Sequence, residues 1–512
     1  MQDAIKKSAS MTESTLEPLL NECEQEPLDH SGLIQDGGVL LHIERDSGLI
    51  AFVSNNAAAF LGDAASDLIG TDGRAWIQDF LPDVSDLPTG AGRRLLLERA
   101  LDLGFGELDV LVSATATGWL IELEPALDPL VDLSRIALRA MPEPIDDAAL
   151  TAAQQDLVDR IAEATGFERV MLYEFKADWS GEVLAERALR STTAYLGLRF
   201  PASDIPAIAR ALYARTPYRH IPDVNREPIA ILSATGPSGA LDLTWSDLRS
   251  VSPVHREYLR NMQVAASFSV SVIVEGRLWG LVACHHPEAL RVPIATRMRC
   301  QELVAQHVAL LTAHRRQLQG AQLARLEREL ASVARISETD TAVLERLQDR
   351  LAPIARLLEA EGVALVVDDE IVQSSVTDSV ELIRALHDWC VTHQSEKVAA
   401  VERLPDALRF VSQASNGRLC GMLAVSVRAK RHGNRLVGVY FFRPAESMEI
   451  AWAGNPEKPV EVAGGASGST LKLSPRHSFE KWVEVRTGFA RPWDRLAMFT
   501  ATQLQRRLEA ML

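Results

Sequence analysis

Long apolar runs are missing from this chain of 512 residues. No stretch of about 18 uninterrupted apolar residues occurs, which excludes an ordinary transmembrane helix. Cysteine is scarce. Cys23, Cys284, Cys300, Cys390 and Cys420 are widely spread and contain no CxxC pair. An odd, scattered set fits neither a disulfide framework nor a zinc site, and points to reduced thiols in the cytoplasm. Positive charge is in deficit: 53 Lys and Arg stand against 69 Asp and Glu, a formal net charge of −16. Nucleic acid and anionic membranes are therefore poor partners. The opening MQDAIKKSASMTESTLEPLL has no apolar signal core, so 1–22 reads as a flexible extension. A histidine-kinase phosphoacceptor box, a nucleotide loop and a GGDEF string are all lacking, so the chain is not expected to be an enzyme. No internal repeat is found.

What is there suffices for several cores. Hydrophobic residues make up 47%, and the length suits roughly three domains. The most informative stretch is 199–286. In RFPASDIPAIARALYAR, Pro201, Ser203, Asp204 and Pro206 make a stiff, capped entry into a helix. Ile205, Ile208, Ala209 and Leu212 give that helix an apolar face. SFSVSVIVEGRLWGLVACHH reads as a hairpin turning at Glu275-Gly276. Ser267, Ser269 and Ser271 share one face of its first strand, and Val270 and Val272 the other. With His285 near the end of the partner strand, that face suggests a cavity for a ligand with polar groups. Cys284, His285 and His286 make a poor metal site, because neighbouring strand side chains point apart.

PASDIP, SPVHREYLRNM and RLWGLVACHH, in this order and spacing, resemble the chromophore-binding GAF domain of phytochromes, in particular bacteriophytochromes. VLLHIERDSGLIAFVSNNAAAFLG and GELDVLVSATATGWLIELEPA, with strands turning at Asp46-Ser47-Gly48 and Thr117-Gly118, resemble a PAS domain. LVGVYFFRP, AWAGNPEKP and SPRHSFEKWVEVRTGFARPW resemble the PHY domain and its tongue. The expected fold is a mixed α/β (α+β) chain. It has an extension at 1–22, PAS at 23–130, GAF at 131–318 and PHY at 319–512, with antiparallel sheets and a tongue at about 443–495. AGGASGS reads as a flexible loop tip and ATQLQRRLEAML as an amphipathic helix. A long helix over 292–336, about 65 Å at about 1.5 Å per residue, exceeds one domain and reads as a spine or dimer seam. The family's figure-of-eight knot would place Ile34 inside a loop formed by the insertion at 221–248. The usual IQPHG turn is here Ile34-Gln35-Asp36-Gly37-Gly38, looser because glycine loses more entropy when fixed.

The resemblance implies biliverdin, a linear tetrapyrrole, joined as a thioether to Cys23, because Arg256 occupies the other attachment position used in the family. Arg219 and Arg249 would clamp the propionates, since guanidinium matches carboxylate geometry, helped by Ser252, Ser267 and Ser269. His255 would sit against the pyrrole nitrogens and His285 would bond the outer-ring carbonyl. Asp204, with Ile205 and Pro206 beside it, would offer its backbone carbonyl to the nitrogens and its side chain to the tongue. Tyr173, Tyr213 and Tyr258 would surround the isomerising ring. Arg476 would pair with Asp204 in the Pr state, and Ser478 would take over after photoconversion. The implied function is a red/far-red photoreceptor that forms a homodimer through the spine and signals to an output domain outside this chain. The competing readings are a small-molecule GAF sensor and a dimerising scaffold.

Overall fold

The computed structural model describes residues 26–512, except 79, 82–85, 103, 105, 139–140, 142, 190–192, 235, 238–240, 334–339, 369, 376–379, 394–395, 409, 411–412, 414–417, 430–434, 457–459, 466–467, 474–475 and 477. Cys23 thus lies outside the described residues. The chain divides into two compact units. One takes in Met1–Leu311 with Ala451–Trp482, the other Thr312–Ile450 with Val483–Leu512.

Among its described residues the first unit holds two large, mainly antiparallel sheets and a small two-stranded one. One sheet runs Leu33–Ile34, Ile229–Ser233, Ile50–Ser54, Val39–Glu44, Gly118–Pro125, Glu107–Ala114 and Arg94–Asp102. Its turns fall where the sequence places them, with Gly48 in the left-handed region at φ 75°. Strand Ile229–Ser233 comes from the expected GAF insertion, yet it pairs with Ile50–Ser54. It also pairs with Leu33–Ile34. On the other side, Gln35 N–H donates to Leu248 O at 2.7 Å and Ser250 N–H to Leu33 O at 3.0 Å. Ile34 is fully buried among Ile231, Leu241, Leu243 and Leu248. The segment 33–35 is therefore gripped from both sides by 229–250.

The Asp-Gly-Gly turn is held more firmly than its composition suggests. Arg291 donates to Gly37 O at 2.9 Å, and a Cβ on Gly38 would stand 2.4 Å from Leu123 O. Only glycine fits at 38.

The second sheet is ordered Tyr218–Ile221, Ala266–Val274, Arg277–His286, Arg169–Phe175, Gly181–Ala188 and Arg199–Phe200. Helix Asp147–Thr165 precedes it, N-capped by the Asp146 side chain and stopped by Gly166 at φ 74°. The expected hairpin forms, with Glu275 and Gly276 at φ 52° and 75°. Phe268, Val270 and Val272 enter one core with Leu157, Ile161, Val282 and Leu303. The opposite face of the sheet is left for the site. Trp452 adds to this sheet by pairing with Arg199.

In the second unit, five strands run Glu370–Ser374, Gly362–Val367, Arg435–Arg443, Gly421–Ala429 and Val398–Val401. Strand alternation sends Val363, Leu365, Val439 and Phe441 to helices Asp340–Leu357 and Arg495–Met511. Ala364, Val366, Tyr440 and Phe442 go instead to helix Val380–His393. The long helix covers Ile294–Leu330, about 55 Å at about 1.5 Å per residue. It is shorter than expected because Ala331–Val333 turn out of the helix. In the first unit, Val460–Gly465 pairs with Gly468–Leu473, so strands flank the AGGASGS tip, whose residues 466–467 lie outside the described residues.

Candidate functional site

Strand alternation builds the site. Ser267 and Ser269 on Ala266–Val274, Leu281, Ala283 and His285 on the partner strand, and Met171 and Tyr173 on Arg169–Phe175 face one cavity. Helix Ala207–Tyr213 contributes Ile208, Ala209, Leu212 and Tyr213, and helix Pro253–Asn261 contributes Val254, His255 and Tyr258. The cavity measures about 220 Å³. A water needs roughly 10–15 Å³ on the same measure, so there is room for a large organic ligand rather than an ion. Its wall is mainly apolar.

Every described residue expected at the ligand lines this cavity: Tyr173, Asp204, Ile205, Pro206, Tyr213, Arg219, Arg249, Ser252, His255, Tyr258, Ser267, Ser269 and His285. Arg476 joins them, whereas Ser478 is exposed.

The two arginines set the electrostatics. The Arg219 guanidinium donates to the backbone carbonyls of Asp247 (3.1 Å), Arg249 and Ser250 (2.9 Å). Arg249 donates to the carbonyls of Leu243 (3.3 Å) and Thr244 (3.1 Å). Among the described residues neither forms an ion pair with a carboxylate. Burial, with Arg249 close by, pushes the Arg219 pKa down to about 9, and burial lowers that of Arg249 too. Both stay cationic at neutral pH. Burying like charges side by side is costly unless an anion offsets them.

The histidines are neutral. Burial, reinforced by Arg219, lowers the His255 pKa to about 4. Burial, then Arg169 and His255, takes His285 to about 3. His285 Nδ1, Tyr173 Oη and Ser203 Oγ are buried without hydrogen-bond partners among the described residues. Such orphaned atoms are uncommon in native interiors and need an explanation. His286 points the other way, its ring edge against Phe167. Tyr173 is seated by a glycine: a Cβ on Gly181 would lie 1.7 Å from its ring.

Asp204 is not a helix cap, since its carboxylate makes no capping bond at either helix start. It is drawn away by stronger donors. Arg476 Nε donates to Oδ1 at 3.1 Å, Arg476 Nη2 donates to Oδ2, and Tyr258 Oη donates to Oδ2 at 3.0 Å. The Asp204 carboxylate holds the Arg476 pKa above its usual value although burial works to lower it. Arg476 also donates to Ala453 O at 2.5 Å and faces the Phe479 ring at 5.1 Å. Both side chains of the pair are almost fully buried, at 2% and 3% exposure.

Glu26 was not foreseen. It lines the cavity with Leu28, and its carboxylate accepts from Ser252 Oγ at 2.6 Å. Ser252 is therefore engaged by a protein acid. Phe479, packed on Tyr258 at 5.4 Å, was also missed. No motif spacing links either residue to the site.

Fold and site define a class: a multidomain sensory module with a cationic ligand pocket on one face of an antiparallel sheet. The family models agree. A PAS fold matches residues 23–126, a GAF domain 149–315 and a phytochrome region 324–512. The chain is 32% identical to a bacteriophytochrome of Pseudomonas aeruginosa, covering 98% of this chain and 67% of that protein. A bacteriophytochrome of Xanthomonas campestris is 31% identical over 96% of this chain and 78% of the relative. Cyanobacterial phytochrome B of Nostoc is 30% identical, and the chain spans only 65% of its length. Two solved structures superpose at TM-score 0.76. One is a bacteriophytochrome of R. palustris, at 26% identity, with 96% of this chain and 99% of that one covered. The other is the photosensory core module of the Stigmatella aurantiaca phytochrome, at 29% identity with 95% and 97% covered. The chain belongs to the phytochrome family and has the PAS-GAF-PHY make-up of a bacteriophytochrome photosensory module.

Proposed function

We propose that this module is a red/far-red light receptor holding biliverdin, attached as a thioether to Cys23. The observation that carries the reading is the pair of buried arginines, 219 and 249, which face a large apolar cavity without a carboxylate partner. A ligand with flat apolar rings and two carboxylates suits that donor set. Arg219 and Arg249, with Ser267 and Ser269, would take the carboxylates. Neutral His255 can accept or donate at the pyrrole nitrogens without adding charge. His285 Nδ1 and Tyr173 Oη have hydrogen-bonding capacity left for polar groups at an outer ring. Glu26 and Leu28 bring the chain to the cavity within a few residues of Cys23. When bound, the pigment supplies red absorption and a double bond that isomerises.

The response then falls to the chain itself. Asp204 lies between cavity and tongue and holds Arg476. Displacing Asp204 or Tyr258 would weaken that hold, and Ser478 is near enough in sequence to replace Arg476. A bistable segment biased by one charge-assisted contact is a recurrent switch. The passage of 33–35 through 229–250, which we read as the family's knot, holds Glu26 and Leu28, the described residues nearest Cys23 in sequence, at the cavity. Dimerisation through Ile294–Leu330, a cytoplasmic location and an output domain in the full-length protein complete the proposal, in which the module has no enzymatic activity of its own.

The test uses purified protein mixed with biliverdin. A red-absorbing adduct whose zinc-induced fluorescence survives denaturing electrophoresis is expected, and Cys23→Ser should abolish the fluorescent band. A colourless wild type would overturn the ligand, and a persisting band in the variant would overturn the attachment site.

A further inference from the structure

Sequence-distant carboxylates form a second polar cluster, outside the cavity. Glu122 is fully buried on strand Gly118–Pro125. Its Oε1 accepts from Ser246 Oγ at 2.5 Å and Leu248 N at 2.8 Å, and its Oε2 accepts from Asp247 N at 3.1 Å. Three donors from consecutive residues thus converge on one carboxylate of the neighbouring sheet. The same segment supplies the carbonyls that orient the arginines. Asp247 O, Arg249 O and Ser250 O accept from Arg219, and Leu243 O and Thr244 O accept from Arg249. A second anchor is Arg94, which donates to Trp245 O at 2.7 Å and pairs with Asp247 at 2.7 Å. The Trp245 ring fills the space above Gly92, where a Cβ would stand 2.6 Å from it.

We propose that Glu122, although it does not reach the ligand, is a positioning residue that sets the Arg219–Arg249 pair through the segment 243–250. This rests on the reading that those arginines bind the ligand's carboxylates. The reasoning is geometric. A guanidinium fork matches a carboxylate only when its plane is right. The Asp247 carbonyl that orients Arg219 belongs to a residue whose amide ends on Glu122, and the Leu243 and Thr244 carbonyls that orient Arg249 lie three and two residues before Ser246, whose hydroxyl ends there too.

The device is also sensitive to protons. Burial, with Asp247 beside it, raises the Glu122 pKa to about 7. Ionised, the carboxyl accepts all three donors. Protonated, it turns one oxygen into a donor facing an amide N–H. Asp247 and Arg94 act on it directly, Arg219 and Arg249 feel its charge, and Arg297, Tyr218, Glu124 and His220 lie one contact further out, around Asp247 and Arg297. Arg94 and Arg297 hold the Asp247 pKa low against its burial. Burial holds the His220 pKa far below and the Tyr218 pKa far above their usual values. Arg94 and Arg297 stay charged throughout. Glu122 is thus the group expected to change between pH 6 and pH 8.

The experiment compares noncovalent binding of biliverdin and of its dimethyl ester, which lacks both carboxylates, in the Cys23→Ser chain. Adding Glu122→Gln should weaken biliverdin about tenfold, the scale of one misaligned charge-assisted contact, and leave the ester unchanged. Lowering the pH from 8 to 6 should weaken biliverdin binding when Glu122 is present and have little effect in Glu122→Gln. With Arg219→Ala and Arg249→Ala already in place, Glu122→Gln should have no further effect. Equal losses for both pigments would mean a merely structural role, and no loss for either would also overturn the proposal. Ser246→Ala carries the same test if Glu122→Gln does not fold, with a smaller loss confined to biliverdin. Failure of the Glu122-intact chain to bind biliverdin at all would instead sink the ligand assignment.

Discussion

Arg476→Ala tests the contact between the cavity and segment 451–482. The substitution removes both guanidinium bonds to Asp204 and the bond to Ala453 O. Asp204 stays buried and still accepts from Tyr258. Because both partners are within 3% of full burial, solvent cannot take over, and breaking one side of such a pair costs about 3–5 kcal/mol. That shifts a local opening equilibrium by roughly a hundredfold or more. Hydrogen exchange in darkness reads the change directly. The amide of Gly454, which donates to Glu480 O at 2.8 Å, and those around Trp452 should exchange faster by about that factor. Arg476→Lys should fall between wild type and Arg476→Ala, since an ammonium keeps the charge but not the two-pronged geometry. Unchanged exchange across 451–482 in Arg476→Ala would refute the reasoning.

Three further outcomes are expected. Gly181→Ala should displace the Tyr173 ring, because the new Cβ falls 1.7 Å from it; a changed pigment spectrum in protein of native circular dichroism checks this. His255 and His285, whose folded pKa values are lowered to about 4 and about 3, bind fewer protons folded than unfolded below pH 6.5. Their contribution is therefore complete above pH 6.5 and lost as pH falls toward 4. Glu122 runs the opposite way, its raised pKa favouring the folded state at lower pH within about 4.5–7. Urea midpoints at pH 5 and pH 7, pigment-free, should differ less in His255→Phe than in wild type. Light scattering should give twice the chain mass, and a monomer at high concentration would count against a dimer through Ile294–Leu330.

Much of the cavity was legible because it is built from local patterns. Alternation alone puts Ser267, Ser269 and His285 on one face, and the apolar face of 205–212 follows from helical spacing. The resemblance then supplied roles that no periodicity could. What stayed hidden depends on partners far apart in the chain. Glu122 meets Ser246, and Arg297 meets Glu124 at 2.5 and 2.8 Å, across more than a hundred residues without any local signature. Strand Arg94–Asp102 escaped notice because Leu95, Leu96 and Leu97 run consecutively, without alternation. Asp204 looked like a helix cap because cap chemistry is local, whereas the arginine that outcompetes the amides lies 272 residues away.

The central claim is tested most directly by a light-minus-dark difference spectrum of the chain co-expressed with haem oxygenase. Red illumination should bleach a red band and raise one further to the red, and far-red light should reverse the change. A pigment-bound protein whose spectrum stays the same under both lights would contradict a photoreceptor, and a colourless one would contradict the pigment site itself.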